Sequence, residues 1–266
     1  MRIAGLALFG LIVSAVPSFG QDSSTAFRVC ADPNNLPFSN SAGEGFENKL
    51  AQFIASKLGR PVSYTWWAQR RGFIRSTLKA GNCDIVMGIP TGLPMVEATH
   101  PYYRSTYVFV SRVDRHYGIS SLKDPRLRGL KIGVQLIGDD GFNTPPAHVL
   151  SDEGMVRNIV GFTVYGDYSQ PNPPARIVEA VEKGTIDIAA VWGPLAGYFA
   201  QRSPEALEIT PIADGNSFRP FLLQYNIAVG VRKGNDKLRD EIDRVLSEHQ
   251  EDVGRLLADY GVPLLK

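Results

Sequence analysis

Apolar residues recur along the chain with two periods, and the two periods alternate. Residues 27–31 (Phe-Arg-Val-Cys-Ala) form a short apolar run that stops at the turn-rich segment Asp32-Pro-Asn-Asn-Leu-Pro37, a strand followed by a turn. Phe46, Leu50, Phe53, Ile54 and Leu58 then fall at i, i+4, i+7, i+8 and i+12, one face of a helix that Gly59 ends. Residues 62–66 predict a second strand. Phe73, Ile74 and Leu78 predict a helix ending at Gly81, and residues 84–87 a third strand ending at Gly88. Strand, helix, strand, helix, strand implies parallel pairing with right-handed crossovers.

The pattern then repeats. Strands are predicted at 107–111, 130–135, 160–165, 186–191 and 225–231, with helices at 146–151, 175–182 and 195–201. The clearest element is the last helix, where Leu238, Ile242, Val245, Leu246, Val253, Leu256 and Leu257 lie on one stripe ended by Gly261. The fold class is therefore α/β, with two βαβαβ halves. The extended runs at 107–112 and 225–231 are the natural crossings between halves. Lobe 1 is then 21–109 plus 226–266, and 110–225 is a second lobe inserted into it. Two α/β lobes joined by two hinge strands enclose a cleft.

The first twenty residues stand apart. Arg2 precedes an apolar run of about 14 residues, short of the roughly 20 needed to span a bilayer, and Pro17, Ser18 and Gly20 follow. Residues 1–20 read as a cleaved secretory signal, which places the mature chain outside the cytoplasm. The whole chain has 28 Lys+Arg and 27 Asp+Glu, and without Arg2 the balance is 27 and 27. A formally neutral chain lacks the basic excess of a nucleic-acid binder. Hydrophobic residues make up 44%, which excludes disorder.

Export changes how Cys30 and Cys83 read. In an oxidising compartment the pair forms a disulfide or two separate buried thiols. If both lay in register on adjacent strands they would be offset by about four residues, roughly 13 Å at strand rise, beyond disulfide reach. The histidines (His100, His116, His148, His249) show no metal-ligand spacing, and no nucleophile-elbow, P-loop or dinucleotide motif is present. No cofactor is expected, and Asp32, Asp139 and Asp140 are too few for a catalytic constellation.

The order of signposts resembles the type II periplasmic substrate-binding proteins of ABC importers. They are Gly45-Phe46, Gly81 with Asp84-Ile-Val, Pro101-Tyr102, Leu130-Lys-Ile-Gly-Val-Gln135 and Gly184 with Asp187-Ile-Ala-Ala. Within that class, four longer runs resemble the MoxJ/XoxJ proteins associated with quinoprotein (pyrroloquinoline quinone) dehydrogenases. They are Val29-Cys-Ala-Asp-Pro-Asn-Asn-Leu-Pro-Phe-Ser-Asn40, Tyr64-Thr-Trp-Trp-Ala-Gln-Arg-Arg-Gly-Phe73, Pro101-Tyr-Tyr-Arg-Ser-Thr-Tyr-Val-Phe109 and Val164-Tyr-Gly-Asp-Tyr168. The resemblance implies a non-catalytic periplasmic accessory of a methanol-type alcohol dehydrogenase that binds the apo-enzyme during maturation. The alternative is a receptor delivering a small ligand to an importer.

Amino-acid binders of this fold hold the ligand carboxylate with an Arg before the Pro-Tyr signpost, yet residues 85–103 contain none. Where their second lobe offers amides to the carboxylate, this chain has Asp139 and Asp140. Their ammonium-binding acid corresponds to Trp192. The expected ligand is therefore not a free amino acid. The candidate cleft comprises Asp32, Asn34, Asn35, Phe38, Trp66, Trp67, Arg70, Arg71, Ile89, Pro90, Ile137, Asp139, Asp140, Trp192 and Pro194. Trp66 and Trp67 cannot both face inward on an alternating strand, and exposed Trp is a typical interface anchor. Arg70, Arg71 and Arg75 at the start of the second helix oppose its dipole. They suit either an anionic partner or solvated ion pairs.

Overall fold

The computed structural model describes residues 26–137, 143–164, 168–213 and 215–265. Residues 1–20, expected to be a leader, and the pair Asp139 and Asp140 lie outside the described residues. In chain order the strands and helices are β1 (Phe27–Ala31), β2 (Asn34–Asn35), β3 (Ser39–Asn40), α1 (Phe46–Lys57), β4 (Val62–Trp66), α2 (Phe73–Ser76), β5 (Ile85–Pro90), β6 (Glu97–Ala98) and β7 (Tyr103–Arg112). There follow β8 (Ile132–Leu136), α3 (Pro145–Asp152), β9 (Ile159–Thr163), α4 (Arg176–Glu182), β10 (Ile188–Trp192), α5 (Gly193–Ala200), β11 (Leu207–Pro211), β12 (Gln224–Val231), α6 (Asp236–Glu248) and α7 (Gln250–Asp259).

The main sheet runs β4-β1-β5-β12-β7-β10-β8-β9. The outer pairings β4/β1/β5 and β10/β8/β9 are parallel, as βαβ units require. β12 and β7 run antiparallel to their neighbours. The ten-residue β7 serves both halves: Tyr103–Thr106 pair with β12, and Tyr107–Ser111 pair with β10. Seven consecutive β7 residues, Ser105 to Ser111, are buried. A strand covered on both faces needs a continuous apolar run rather than alternation.

The core separates along the same line. α1, α6 and α7 pack Phe46, Leu50, Ile54, Ile242, Val245 and Leu257 against Phe27, Val29, Ile85 and Val229. In the other half, Phe109, Ile132, Val134, Ile188 and Ala190 face one layer. Val108, Val110, Ala189 and Val191 face the opposite layer with α4 and α5. Adjacent residues divide between two cores because strand side chains alternate. Trp192, half-buried at the end of β10, packs against the core of each half.

Four expectations change. Cys30 and Cys83 form a disulfide with Cα atoms 5.5 Å apart. The register estimate of about 13 Å fails because Cys83 precedes β5, in the turn that Gly81 makes at φ +81°, so strand rise does not apply to it. Beside the bridge, Arg28 chelates Asp84 through Nε and Nη2 at 2.8 and 2.6 Å, and Arg232 reaches the same carboxylate at 3.1 Å. The long C-terminal helix is two helices broken at His249, whose φ of −127° leaves the helical region. The second helix shrinks to α2, four residues, so the dipole argument for Arg70, Arg71 and Arg75 lapses. The edge strand β11 was not anticipated, because Leu207-Glu-Ile-Thr-Pro ends in a proline that demotes a strand reading.

Candidate functional site

The turn after β1 builds one wall of a cavity of about 280 Å³. Asp32 is 2% exposed, and its carboxylate takes three donors. The backbone N–H of Asn34 donates at 2.8 Å and that of Gln69 at 2.7 Å. The third donor is the Tyr168 hydroxyl, which comes from the second half of the chain. Three donors from three segments fix a buried carboxylate that would otherwise be costly to remove from water. Asn34 extends the seam: its Nδ2 donates to the Gln170 carbonyl at 2.9 Å, and its Oδ1 accepts from the Asn172 N–H at 3.2 Å. The Arg70 guanidinium lies 5.1 Å from the centre of the Tyr168 ring on the outside of this seam. The two halves therefore close directly on each other over the cavity.

The inner wall is Glu47, in the first turn of α1. Asn48 secures that turn, its Oδ1 accepting from the N–H groups of Gly45 and Asn40 at 3.2 and 3.0 Å. Glu47 is 9% exposed, and no hydrogen bond to its carboxyl is formed by the described residues. Its neighbour is Gly88 of β5, at φ +67°, where a Cβ would stand 1.9 Å from Oε1. Only glycine meets both demands. Burial pushes the Glu47 carboxyl up to about 8. A helix N-terminus favours a carboxylate by at most about 2 kcal/mol, so desolvation wins. Burial, and after it the charge of Glu47 when ionised, raises Tyr102 and Tyr103 well above the usual phenol range.

Rings and amides complete the enclosure. Phe38, Tyr103, Tyr107 and Trp192 line it, with Trp192 edge-on to Tyr107 at 5.4 Å. On the second-half side, Thr144 donates its hydroxyl to the Gln135 carbonyl at 2.5 Å, and Ile137 N–H donates to Asn143 Oδ1 at 3.3 Å. Among the described residues, no Lys, Arg or His lines the cavity, whereas Asp32 and Glu47 both do.

Of the residues expected at the cleft, Asp32, Asn34, Asn35, Phe38, Ile137 and Trp192 come together in this cavity. The others do not. Ile89 is buried with Cys30, Cys83 and Leu78 behind β5, and Pro90 is exposed at the strand end. Pro194 is buried in the first turn of α5. Trp66 stacks on Tyr64 at 4.5 Å, two residues away on the same face of β4, so the strand consumes it locally. Trp67 lies just past β4 and is 48% exposed. Arg70 and Arg71 are exposed near it. Asp139 and Asp140 lie outside the described residues. Sequence reasoning missed Glu47, Gln69, Gln135, Thr144, Tyr107 and Tyr168 as cavity residues. Glu47 reads as the polar face of a helix, and only the fold of β5 over it shows otherwise. The available signals were the motif runs themselves: Gln69 lies in the 64–73 run, Tyr103 and Tyr107 in the 101–109 run, Gln135 in the 130–135 signpost and Tyr168 in the 164–168 run.

The family model of the bacterial extracellular solute-binding proteins, family 3, matches residues 27–261. The chain belongs to that family. Among curated proteins it is similar to protein MoxJ of Methylorubrum extorquens, at 31% identity over 90% of this chain and 81% of that one. Among solved structures it is similar to the periplasmic binding protein XoxJ from Methylobacterium extorquens AM1. That match has 34% identity and a TM-score of 0.74, covering 91% of this chain and all of the other. It is also similar to MxaJ from Methlophaga aminisulfidivorans MPT, at 25% identity and a TM-score of 0.79 over 90% of this chain. This family-3 protein has the type II periplasmic binding protein fold and is MoxJ/XoxJ-like along nearly its whole described length. No helix among its described residues is long and apolar enough to cross a membrane, and no described group of His, Cys, Asp and Glu side chains is arranged to hold a metal ion.

Proposed function

We propose that this family-3 protein is a non-catalytic periplasmic accessory of a quinoprotein alcohol dehydrogenase of the methanol-oxidising type, and that it docks on the cofactor-free dehydrogenase during maturation. Support comes from the resemblance of its motif runs to dehydrogenase-associated proteins, matched along the chain by MoxJ and XoxJ. The observation that carries the reading is the pairing of a cavity with no cationic side chain among its described lining residues with a large aromatic left bare outside it. A receptor for amino acids needs a cation to hold the carboxylate, and here Asp32 and Glu47 occupy the walls. Trp67, 48% exposed, precedes exposed Arg70 and Arg71 by three and four residues in the chain. Trp and Arg are the residue types that dominate binding energy at protein interfaces. The Cys30–Cys83 disulfide agrees with an oxidising compartment.

In this reading, lobe 1 is 21–109 plus 226–266 and lobe 2 is 110–225, the exchange of β7 between β12 and β10 marking the hinge. Residues 1–20 are removed on export. The docking face is the open end of β4 with the start of the following turn. A second reading, a receptor for a small non-amino-acid solute, draws on the cavity itself, whose volume lies just below the usual range of about 300–1,000 Å³ for ligand sites.

Titration calorimetry of the oxidised protein against the dehydrogenase, with and without its quinone, tests the proposal. The expected result is a complex at micromolar concentration with at least about tenfold preference for the quinone-free enzyme, weakened by Trp67→Ala. No complex with either form overturns it.

A further inference from the structure

The cavity joins a buried carboxyl that lacks a partner to walls of aromatic rings, with no positive side chain among the described residues that line it. Asp32 has three donors and needs nothing more. Glu47 has none among the described residues, although it is 9% exposed and reaches the cavity. A carboxyl in that position is satisfied either by keeping its proton or by meeting a cation. The rest of the enclosure suits the second outcome. Aromatic faces attract a desolvated ammonium, and cages of such rings are the usual receptors for methylated amines.

We propose that the cavity binds a small organic ammonium ion that carries no carboxylate, with Glu47 as counter-charge and the rings of Phe38, Tyr103, Tyr107 and Trp192 as walls. The chemistry sets the limits of the ligand. A zwitterion brings a carboxylate into a space whose described walls offer two carboxyl groups and no cation, so like charge rejects it. A polycarboxylated quinone is rejected for the same reason. The volume of about 280 Å³ admits an amine of a few heavy atoms and excludes a peptide. Because Asn34 and Tyr168 close the seam over the cavity, the ligand enters when the halves part and is sequestered when they meet. This inference does not depend on the dehydrogenase reading, since it concerns the isolated protein.

Proton linkage gives the site a signature. The groups facing Glu47 are Tyr64 from β4, Tyr102 and Tyr103 at β7, and Asp32 across the cavity. The three phenols are raised and stay neutral through the neutral range. A permanent cation binds the ionised carboxyl, so below about pH 8 its binding must expel a proton from Glu47. Affinity therefore rises with pH up to that point and levels off beyond it.

The test is titration calorimetry of the oxidised protein with choline and tetramethylammonium, both permanently charged, and with betaine as the carboxylated counterpart of choline. Binding of at least one of the two cations is expected, with affinity rising several-fold from about pH 6.5 to pH 8. Betaine should bind at least about tenfold more weakly than choline. Glu47→Gln, a neutral isostere that removes the desolvation penalty and so does not threaten folding, should lose at least about tenfold in cation affinity and its pH dependence. Absence of heat with both cations up to about 10 mM overturns the proposal. So does cation binding that Glu47→Gln leaves unchanged, or betaine binding as tightly as choline. Each of these results is read without the dehydrogenase, so failure here and failure of docking are separate outcomes.

Discussion

The hydroxyl of Tyr168 donates to the carboxylate of Asp32, tying two segments 136 residues apart in sequence across the mouth of one cavity. The Asp32 carboxylate keeps two backbone donors without it. Tyr168→Phe should therefore cost no more than about 1.5–3 kcal/mol, the range for a hydrogen bond to a charged group. The larger effect should be on opening. Small-angle scattering of the variant is expected to show a larger radius of gyration than the parent, because one of the direct ties between the halves is gone.

Glu47 makes stability depend on pH with an unusual sign. Its folded value of about 8 lies above that of an unfolded glutamate, so between the two the folded state holds a proton that the unfolded state has lost. Stability contributed by this group is full at acid pH and falls by up to about 1.4 kcal/mol per pH unit as pH rises toward 8, then levels off. Denaturant melts of the parent from about pH 5 to 8 should show this decline, and Glu47→Gln should remove most of it.

Gly88 accepts what no other residue could at its position. Gly88→Ala places a methyl within 1.9 Å of Glu47 Oε1 at a φ of +67°. Left-handed backbone costs an L-residue about 1–2 kcal/mol, and overpacking typically costs 1–3 kcal/mol more. A loss of at least about 2 kcal/mol in urea unfolding is expected. In the Glu47→Ala background the steric part should fall away, leaving the backbone part, which a double-mutant cycle would separate.

The disulfide closes a loop with a sequence separation of 53. Chain-entropy arithmetic for a loop of that length gives about 4 kcal/mol. Cys30→Ala with Cys83→Ala, or reduction of the parent, should lower the unfolding free energy by about 2–5 kcal/mol. Thermal melts with and without reductant check it.

The tryptophans separate by burial. A reading of all three as cleft aromatics treats them alike, but Trp192 joins the two cores and touches Tyr107 and Tyr225 at 5.4 and 5.8 Å. Trp192→Ala should cost about 3–5 kcal/mol of stability, as large-to-small changes at packed aromatics do. Trp67→Ala, at an exposed site, should change stability by less than about 0.5 kcal/mol while weakening dehydrogenase binding. Equal melting temperatures for the two variants would contradict this division.

How much of this was legible before folding depends on the range of the interaction involved. The period of apolar residues determined the α/β class, the parallel order of β1, β4 and β5, and the turn that carries Asp32, Asn34, Asn35 and Phe38, because these arise from side-chain geometry over a few residues. The same local signals located Trp192 at a strand end. The motif runs pointed to the MoxJ/XoxJ-like proteins. Tertiary structure decided the rest. The disulfide rests on how the Gly81 turn carries Cys83 back over Cys30, which no strand count contains. Glu47 and Tyr168 became cavity residues only when β5 closed over α1 and the segment after β9 crossed to the β1 turn. Periodicity records which face of an element avoids water; it does not record which element will cover that face, and burial of Glu47 is a property of the covering.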